Sequence, residues 1–318
     1  MHRPRRTLRR LTPVVALAAL LAVAGCGSGS TGDHDAGTAG TAGGSFPVTV
    51  HGTAGSVTLK QRPTTIVSLS PTTTEMLYSI GAGKQVKAVD DQSDYPADAP
   101  RTKLSGFKPN VEAIAGYRPD LVVLSYDSGD VATGLEKLKI PVYVASAAQK
   151  LTDGYRQITD LGALTGHAGG AAKTVRTMKD GIAKAEQGLP KRKMALRYYY
   201  ELDPQLHTAT SKTFVGALLA PLGLANVADT ADKDGTGYPQ LSKEYLVKSN
   251  PDLIFLADTR CCSQSAASAA KRPGWNTLTA VGKKRVYGID DDIASRWGPR
   301  VVDLVRVVAG AVKSVPAS

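Results

Sequence analysis

Short apolar runs of strand type alternate with helical stretches along most of the chain. A hairpin is predicted at residues 46–59, and strands are predicted at 66–70, 86–89, 121–124, 142–144, 196–202, 226–228, 253–256 and 285–289. Apolar residues recur at helical spacing between these strands, for example in 131–138, 212–222 and 299–312. Because alternating strands and helices are typical of parallel sheets covered by helices, we predict an α/β fold.

One helix–strand unit occurs twice. Residues 110–125 read NVEAIAGYRPDLVVLS, and residues 242–257 read SKEYLVKSNPDLIFLA. With Glu112 set on Glu244, the two Pro-Asp-Leu triplets coincide without a gap. Each copy has a capping Asn or Ser, a glutamate in the first helical turn, a Pro that ends the helix and an apolar strand. The helix dipole stabilises such a glutamate, so spacing alone assigns it no partner.

The repeat extends further and predicts two similar lobes. An apolar helix ended by glycine precedes each copy, at 72–86 and 212–227. Between the lobes, apolar residues recur every three or four positions from His167 to Leu189, which predicts one helix about 33 Å long. We therefore assign residues 47–166 to the first lobe, 167–190 to an interlobe helix and 191–318 to the second lobe.

The N-terminus has the pattern of a secretion signal over residues 1–25. Five arginines precede the apolar segment LTPVVALAALLAVAG, which is short for a membrane span. The segment ends at Val23-Ala24-Gly25-Cys26, which resembles a bacterial lipobox and implies cleavage before Cys26 and its acylation. The alternative is a core cysteine near an ordinary cleavage site. Residues 26–46 are rich in Gly, Ser, Thr and Ala and predict a flexible tether, so we expect lipid anchoring on the outer face of the cell membrane.

Charge and motif content exclude several classes of function. The net charge of +11 falls to +6 without the first 25 residues, and this excess is spread along the chain, which argues against a nucleic-acid partner. The five histidines lack metal-ligand spacing, and no Gly-x-Ser-x-Gly motif occurs. Gly81-Ala82-Gly83-Lys84 lacks the rest of a nucleotide-binding motif and is interpreted as a helix end. We predict neither catalytic residues nor a metal site.

Cys261 and Cys262 are adjacent in sequence. Neighbouring Cα atoms are about 3.8 Å apart, closer than in most disulfides, so a bond between these residues would be strained. Three interpretations stay open: a vicinal disulfide that stiffens a loop, two free thiols, and contact with a ligand.

The loops after the predicted strands carry most of the candidate binding residues. Parallel α/β sheets bind ligands beyond the carboxyl ends of their strands. The aromatic, polar and charged residues there are Gln92, Tyr95, Phe107, Tyr126, Glu201, Tyr238, Arg260, Asp292, Arg296 and Trp297. The repeat brings Phe107 and Tyr238 to facing positions, where they favour a large, partly apolar ligand. For any single aromatic residue, loop packing is an equal alternative.

Several ordered motifs between about residues 62 and 312 resemble one family. They are IVSLSPTTTEMLYSIGAG, DDQSDYPADAP, SGFKPNVEAIAGYRPDLVVLS, GYPQLSKEYLVKSNPDLIF and ASRWGPR. The family is the class III solute-binding proteins of ATP-binding-cassette (ABC) importers for cobalamin, ferric siderophores and haem. The resemblance implies two Rossmann-like lobes joined by a single long helix, with the ligand in the cleft between them. It also implies that Glu112 and Glu244 dock to arginines of the permease.

The branch that binds cobalamin is the most similar. That likeness implies that Pro71, Phe107, Tyr126, Tyr238, Asp292 and Arg296 line the cleft, and we add Gln92 and Trp297 as ligand-binding candidates. The chain departs from that branch in three places. Gln92 stands where a tyrosine can occur, Phe107 and Tyr238 stand at the two tryptophan positions, and the loop with Cys261 is extra.

The sequence therefore predicts a monomeric, lipid-anchored binding protein that is not an enzyme and has no cofactor. It captures a metal chelate, with cobalamin or another corrinoid favoured, and delivers it to the permease and ATP-binding subunits of an importer. Ferric-siderophore or haem binding is the alternative in the same role. An extracellular α/β enzyme and a surface sensor are less favoured.

Overall fold

The structure is a computed structural model that describes residues 45–53 and 55–317. The predicted signal segment, Cys26 and nearly all of the predicted tether lie outside these residues. Within the described ranges, no helix combines the length and apolar character that a membrane crossing requires.

The first lobe contains a four-stranded parallel sheet behind an N-terminal hairpin. The hairpin is formed by β1 (Val48–Gly52) and β2 (Gly55–Leu59), which pair antiparallel. The lobe continues with β3 (Ile66–Leu69), α1 (Pro71–Ser79), β4 (Val86–Val89), α2 (Val111–Ala115), β5 (Leu121–Leu124), α3 (Val131–Lys137), β6 (Val142–Val144) and α4 (Leu151–Thr165). The strand order is β4–β3–β5–β6, and every residue of β3 and β5 is buried. Helices cover both faces of such a sheet, which explains the uninterrupted apolar strands.

One long helix, α5 (Ala168–Glu186), follows the first lobe. It packs against α1 and α4 of that lobe and against the C-terminal helix of the second lobe. Gly170 allows the close approach to α1, because a Cβ there would lie 2.0 Å from the carbonyl oxygen of Ile80. The helix ends three residues before the last apolar residue of the predicted pattern, Leu189.

The second lobe repeats the parallel sheet, with strand order β10–β9–β7–β8. Its elements are β7 (Leu196–Glu201), α6 (Phe214–Leu219), β8 (Leu224–Asn226), α7 (Lys243–Ser249), β9 (Leu253–Leu256), α8 (Ala266–Ala270), α9 (Thr279–Gly282), β10 (Val286–Gly288), α10 (Asp291–Ser295) and α11 (Val301–Ser314). The prediction of an α/β protein with two parallel-sheet lobes is confirmed. The helix α4 is not among the predicted elements, although it is 15 residues long.

The Pro-Asp-Leu triplets connect neighbouring strands in the same way in both lobes. The backbone N–H of Asp120 donates to the Thr65 carbonyl at 2.8 Å, and the Thr65 N–H donates to the Asp120 carboxylate at 2.9 Å. In the second lobe Asp252 and Arg197 form the same reciprocal pair, at 2.8 Å in both directions. Each aspartate therefore fixes where two strands begin, which sets the register of the sheet.

Candidate ligand site between the lobes

A cavity of about 500 Å³ lies between the two lobes at the carboxyl ends of the sheets. The first lobe contributes residues 147–149, and the second lobe contributes side chains that include Phe214, Tyr238, Cys261 and Trp297. A groove of about 590 Å³ lies elsewhere, between α1, α5 and α11. We take the first cavity as the candidate site because ligands of parallel α/β sheets bind beyond the strand ends.

Of the four predicted aromatic residues, two line the cavity and two lie outside it. Tyr238 and Trp297 line the cavity, and the indole N–H of Trp297 donates to the side-chain oxygen of Gln157 at 2.7 Å across the lobes. Phe107 and Tyr126 lie in the loops beyond the first sheet and are 80% and 69% exposed. They do not line the cavity itself. The structure therefore offers apolar rings both inside the cleft and on the surface of the first lobe.

Pro71 and Gln92 are not part of the cavity wall. Pro71 is the first residue of α1, where its fixed φ favours the helix start. Gln92 is exposed, and its amide donates to the neighbouring Asp91 at 3.3 Å.

Arg296 is engaged in a buried ion-pair network that crosses the lobes. Its guanidinium donates to Glu75 at 2.7 Å and also to Asp292. Arg300 binds the same Glu75 carboxylate at 2.9 and 2.6 Å. The Glu75 side chain is 1% exposed and the Arg296 side chain 10% exposed. The structure thus brings the predicted residues Asp292 and Arg296 together, but the Arg296 guanidinium is already paired with both Asp292 and Glu75.

Arg260 is the more exposed cation of this network. Its guanidinium contacts Asp292 and, across the lobes, Asp94 at 3.1 Å. Partial burial raises the pKa of Asp94, but Arg260 and Arg296 outweigh that effect and hold it below the ordinary value. Burial keeps the pKa of Asp292 above the ordinary value despite Arg296. Sequence reasoning placed Arg260 in a loop but found no partner, because Asp94 is 166 residues away.

The two adjacent cysteines are free thiols in this structure, and Cys261 lines the cavity. The Asp291 carboxylate fixes their loop by accepting the backbone N–H groups of Arg260 at 2.9 Å and Cys261 at 2.8 Å. Desolvation, together with Cys262 and Asp291, raises the pKa of the Cys261 thiol to about 12. Cys261 is therefore protonated at neutral pH.

Glu201 lies beneath the cleft surface instead of facing a ligand. It is fully buried, and its carboxylate forms two hydrogen bonds of 2.6 Å with Arg272. Asp258 is also fully buried, and neither of its carboxyl oxygens has a hydrogen-bond partner. Burial and the nearby Glu201 raise the pKa of Asp258 to about 7. The position of each acid at a strand end is the one signal for this cluster in the sequence.

Glu112 and Glu244 occupy matched, exposed positions in the first turns of α2 and α7. Their helices are capped by Asn110, which accepts the Ala113 N–H at 2.7 Å, and by Ser242, which accepts the Tyr245 N–H at 3.0 Å. Neither glutamate forms an ion pair with any residue in the described part of the chain. Both carboxylates are thus available to an external partner.

Comparison with known proteins assigns the family. Residues 66–293 match the family model described as periplasmic binding protein. The chain belongs to the periplasmic binding protein family. It is 31% identical to an uncharacterised ABC transporter substrate-binding lipoprotein, YvrC, of Bacillus subtilis, over 84% of this chain and 86% of that protein. It is also 31% identical to a cobalamin-binding protein of Halobacterium salinarum, over 84% and 74% of the two chains.

A solved structure of the family has the same fold. A possible iron-binding, periplasmic solute-binding protein of Staphylococcus epidermidis superposes with a TM-score of 0.67 at 27% identity, covering 79% of this chain and 99% of that chain. This periplasmic binding protein is accordingly a substrate-binding protein of an ABC transporter, and it is not an enzyme. It acts outside the cytoplasm with a permease and a small ligand. The family predicted from the motifs is confirmed.

Proposed function

We propose that this substrate-binding protein captures a metal chelate, with cobalamin or a close corrinoid as the favoured ligand, and delivers it as a lipid-anchored monomer to an ABC importer. The observation that carries the proposal is the interlobe cavity with Tyr238 and Trp297 in its wall. The identity of 31% with a relative named as cobalamin-binding supports the choice of ligand. In this proposal the ligand is captured and released in the cleft, and no covalent bond is made or broken.

The aromatic side chains favour a ligand that is larger than the cavity. The cavity volume of about 500 Å³ would hold part of such a ligand, and the rest would cover exposed rings beyond it. Phe107 and Tyr126 expose large apolar surfaces that contribute nothing to the core, as expected of rings that a ligand covers. Stacking on Tyr238 and on these two rings would supply most of the affinity.

Polar contacts would come from the charged network at the cleft. Arg296 and Asp292 remain our predicted hydrogen-bonding residues, together with Pro71 and Gln92 as contacts in the first lobe. Because the Arg296 guanidinium donates to Glu75, it would have to give up this hydrogen bond in order to contact a ligand. Arg260 also pairs with Asp94 and Asp292, but its side chain is 52% exposed and therefore more accessible to a ligand, so we add it to the predicted set.

Isothermal titration calorimetry with cobalamin, haem and ferric hydroxamates tests the ligand. We expect a measurable heat and a defined stoichiometry with cobalamin alone. Binding of a ferric chelate with no heat from cobalamin would contradict the corrinoid proposal and leave the importer role intact. The similarity to the possible iron-binding protein of S. epidermidis makes ferric chelates the second candidate.

A pair of tyrosine variants tests the cleft wall. Tyr238→Ala removes an exposed ring of the cavity wall and should weaken ligand binding by roughly tenfold, or about 1.4 kcal/mol. Tyr117→Ala is the matched control, because Tyr117 is also exposed but follows α2 at the start of β5. Equal affinities of the two variants in calorimetry would contradict the assigned wall.

Transport assays test the role of the matched glutamates. The double variant Glu112→Ala/Glu244→Ala should abolish uptake of the ligand into cells while its affinity for the ligand stays unchanged, because charge-assisted pairs with permease arginines are lost. Glu136→Ala changes an exposed glutamate of α3 and should leave uptake unchanged. Normal uptake by the double variant would exclude docking through these residues.

Cell fractionation tests the anchor. Cys26→Ala removes the acylated sulfur and should move the protein from the membrane fraction to the medium or periplasm. Retention in the membrane would show that another segment anchors it.

A further inference from the structure

The fold gathers positive charge that is dispersed in the sequence. Parallel strands begin at one edge of a sheet, and in the second lobe each of the segments before β7, β9 and β10 contains at least one lysine. We define the basal patch as the exposed residues Lys191, Lys193, Arg197, Lys248, Lys283 and Lys284. Basic residues that are spread along the sequence are therefore neighbours in the folded chain.

Hydrogen bonds show that these segments form one surface. The Arg197 guanidinium donates to the carbonyls of Ser249 and Asn250 at 3.0 Å each, which joins the start of β7 to the end of α7. The Asn250 side chain accepts the Thr279 N–H at 2.7 Å, which joins it to the helix before β10. Lys193, Lys248 and Lys283 thus lie in adjacent segments of the same edge.

Few negative charges offset the patch. Within the described residues, Asp252 is the one acid in the segments that directly precede the four strands of this sheet. Its carboxylate is already bound by the Arg197 N–H at 2.8 Å. At the opposite end of the sheet, by contrast, acids and arginines pair, as Asp292 does with Arg260 and Arg296. No lysine of the basal patch forms an ion pair in the part of the chain that the structure describes, and this unbalanced charge favours an anionic partner at the basal edge.

An exposed apolar residue distinguishes between kinds of anionic partner. Met194 follows Lys193 and is 82% exposed, more than any other large apolar side chain in the described residues. A soluble polyanion has no apolar phase to receive this side chain. The interface of a bilayer has one beneath its anionic headgroups, and basic residues flanking an apolar side chain are typical of membrane-surface segments.

We propose that the basal patch binds anionic phospholipid headgroups of the membrane, with Met194 entering the interfacial region. Because the patch lies at the starts of the strands and the cleft at their ends, this contact turns the cleft toward the medium. Docking to a permease through Glu112 and Glu244 then requires release from the lipid. The proposal goes beyond ligand capture and does not depend on acylation of Cys26.

Vesicle flotation tests the proposal with the chain from residue 26 onward carrying Cys26→Ser, which contains every described residue and has no acyl anchor. We expect binding to vesicles that contain phosphatidylglycerol and none to phosphatidylcholine alone. Binding should disappear near 1 M salt, where the screening length falls to about 3 Å. Equal binding to both vesicle types would overturn the proposal.

Charge-reversal variants locate the contact. Lys283→Glu/Lys284→Glu should weaken vesicle binding by at least about 25-fold, because each basic residue near a surface contributes roughly fivefold. Lys103→Glu/Lys108→Glu changes the net charge equally but lies in the exposed loop after β4, and binding should persist. An equal loss in both variants would mean that net charge alone drives binding, which overturns the patch. Lys191→Glu/Lys193→Glu serves as a second patch variant, with thermal unfolding checked for each protein.

Met194→Ser separates a bilayer from other polyanions. It should weaken vesicle binding several-fold while binding to soluble polyphosphate stays unchanged. If Met194→Ser leaves vesicle binding unchanged and the protein binds single-stranded RNA as tightly as vesicles, a general polyanion site replaces the lipid proposal.

Discussion

The two lobes repeat one helix–strand unit faithfully and then diverge two residues after its strand. When Glu112 is set on Glu244, Tyr126 and Asp258 occupy equivalent positions. Tyr126 is 69% exposed, whereas Asp258 is fully buried with both carboxyl oxygens unpaired. The start of the strand is constrained in both lobes by the aspartate hydrogen bonds, and its end is not. The repeat therefore preserves the register of the sheet, whereas the residues on the cleft side vary between the lobes.

The buried polar networks at the cleft side differ accordingly. In the first lobe the hydroxyls of Ser68, Thr74 and Ser93 bind one another at 2.9 and 3.0 Å, and Ser93 also donates to the buried carboxylate of Asp90, whose pKa burial raises. In the second lobe, Glu201 and Arg272 form a buried ion pair beside Asp258. Both lobes therefore bury a carboxyl group at the cleft side, but Asp90 has a hydroxyl partner in Ser93, whereas the Asp258 oxygens have none.

Removing the ion pairs of Glu75, which join the two lobes, should reduce stability more than any other change proposed below. Glu75→Ala removes the carboxylate shared by Arg296 and Arg300 and leaves two largely buried cations without it. The free energy of unfolding in urea should fall by about 3–5 kcal/mol. Asp303→Ala, which removes the exposed partner of Arg306, should cost less than about 1 kcal/mol. Equal losses would mean that Glu75 does not hold the lobes together.

The next largest effect on stability concerns Asp120 and Asp252, the aspartates of the two Pro-Asp-Leu triplets. Asp120 accepts three hydrogen bonds, two from Thr64 and one from Thr65, whereas Asp252 accepts one from Arg197. Asp120→Ala should therefore cost about 2–3 kcal/mol in denaturant unfolding, and Asp252→Ala about 1 kcal/mol. A larger loss for Asp252→Ala would contradict this ranking.

Acid unfolding provides a second measurement of Asp120. Desolvation raises its pKa, but the hydrogen bonds from Thr64 and Thr65 outweigh it and hold the pKa below the ordinary value. The stabilisation is therefore present above pH 4 or so and is lost as the pH falls through the lowered pKa. Asp120→Ala should be less sensitive to acid than the parent chain.

Asp258 should show the opposite dependence on pH. Its pKa of about 7 in the folded chain lies above the ordinary value because of burial and Glu201, so the folded state holds a proton that the unfolded state has lost. The stability of the parent chain should then fall as the pH rises from about 4 through 7. Asp258→Asn should remove this fall and stabilise the protein by about 1 kcal/mol at pH 8. Asp234→Asn, at an exposed position, should change nothing; an unchanged pH profile for Asp258→Asn would refute the assignment.

The smallest effect concerns the exposed bridge between the lobes. Arg260→Gln removes the contacts with Asp94 and Asp292 and should change the free energy of unfolding only slightly, because exposed pairs contribute little. The difference should vanish in high salt. A loss comparable to that of Glu75→Ala would mean that the bridge is not screened by solvent.

Local patterns in the sequence predicted much of the architecture. The Pro-Asp-Leu triplets, the strand-type runs and the periodicity of α5 each depend on neighbouring residues, so they could be interpreted without coordinates. The family motifs led to the cleft and to Tyr238, and the loops after the predicted strands led to Trp297. The network of Glu75 with Arg296 and Arg300 could not be predicted, because its members are more than 200 residues apart.

Hydrophobic periodicity and capping are local properties of the chain, so they were enough to predict two α/β lobes, a long connecting helix and two matched glutamates. The three-dimensional structure was needed to show that Arg296 is held by Glu75, that Glu201 is buried and that Cys261 lines the cavity. It also shows that scattered lysines form one basal patch. These features depend on which segments the parallel sheets bring side by side, and that choice is made by packing across the whole chain.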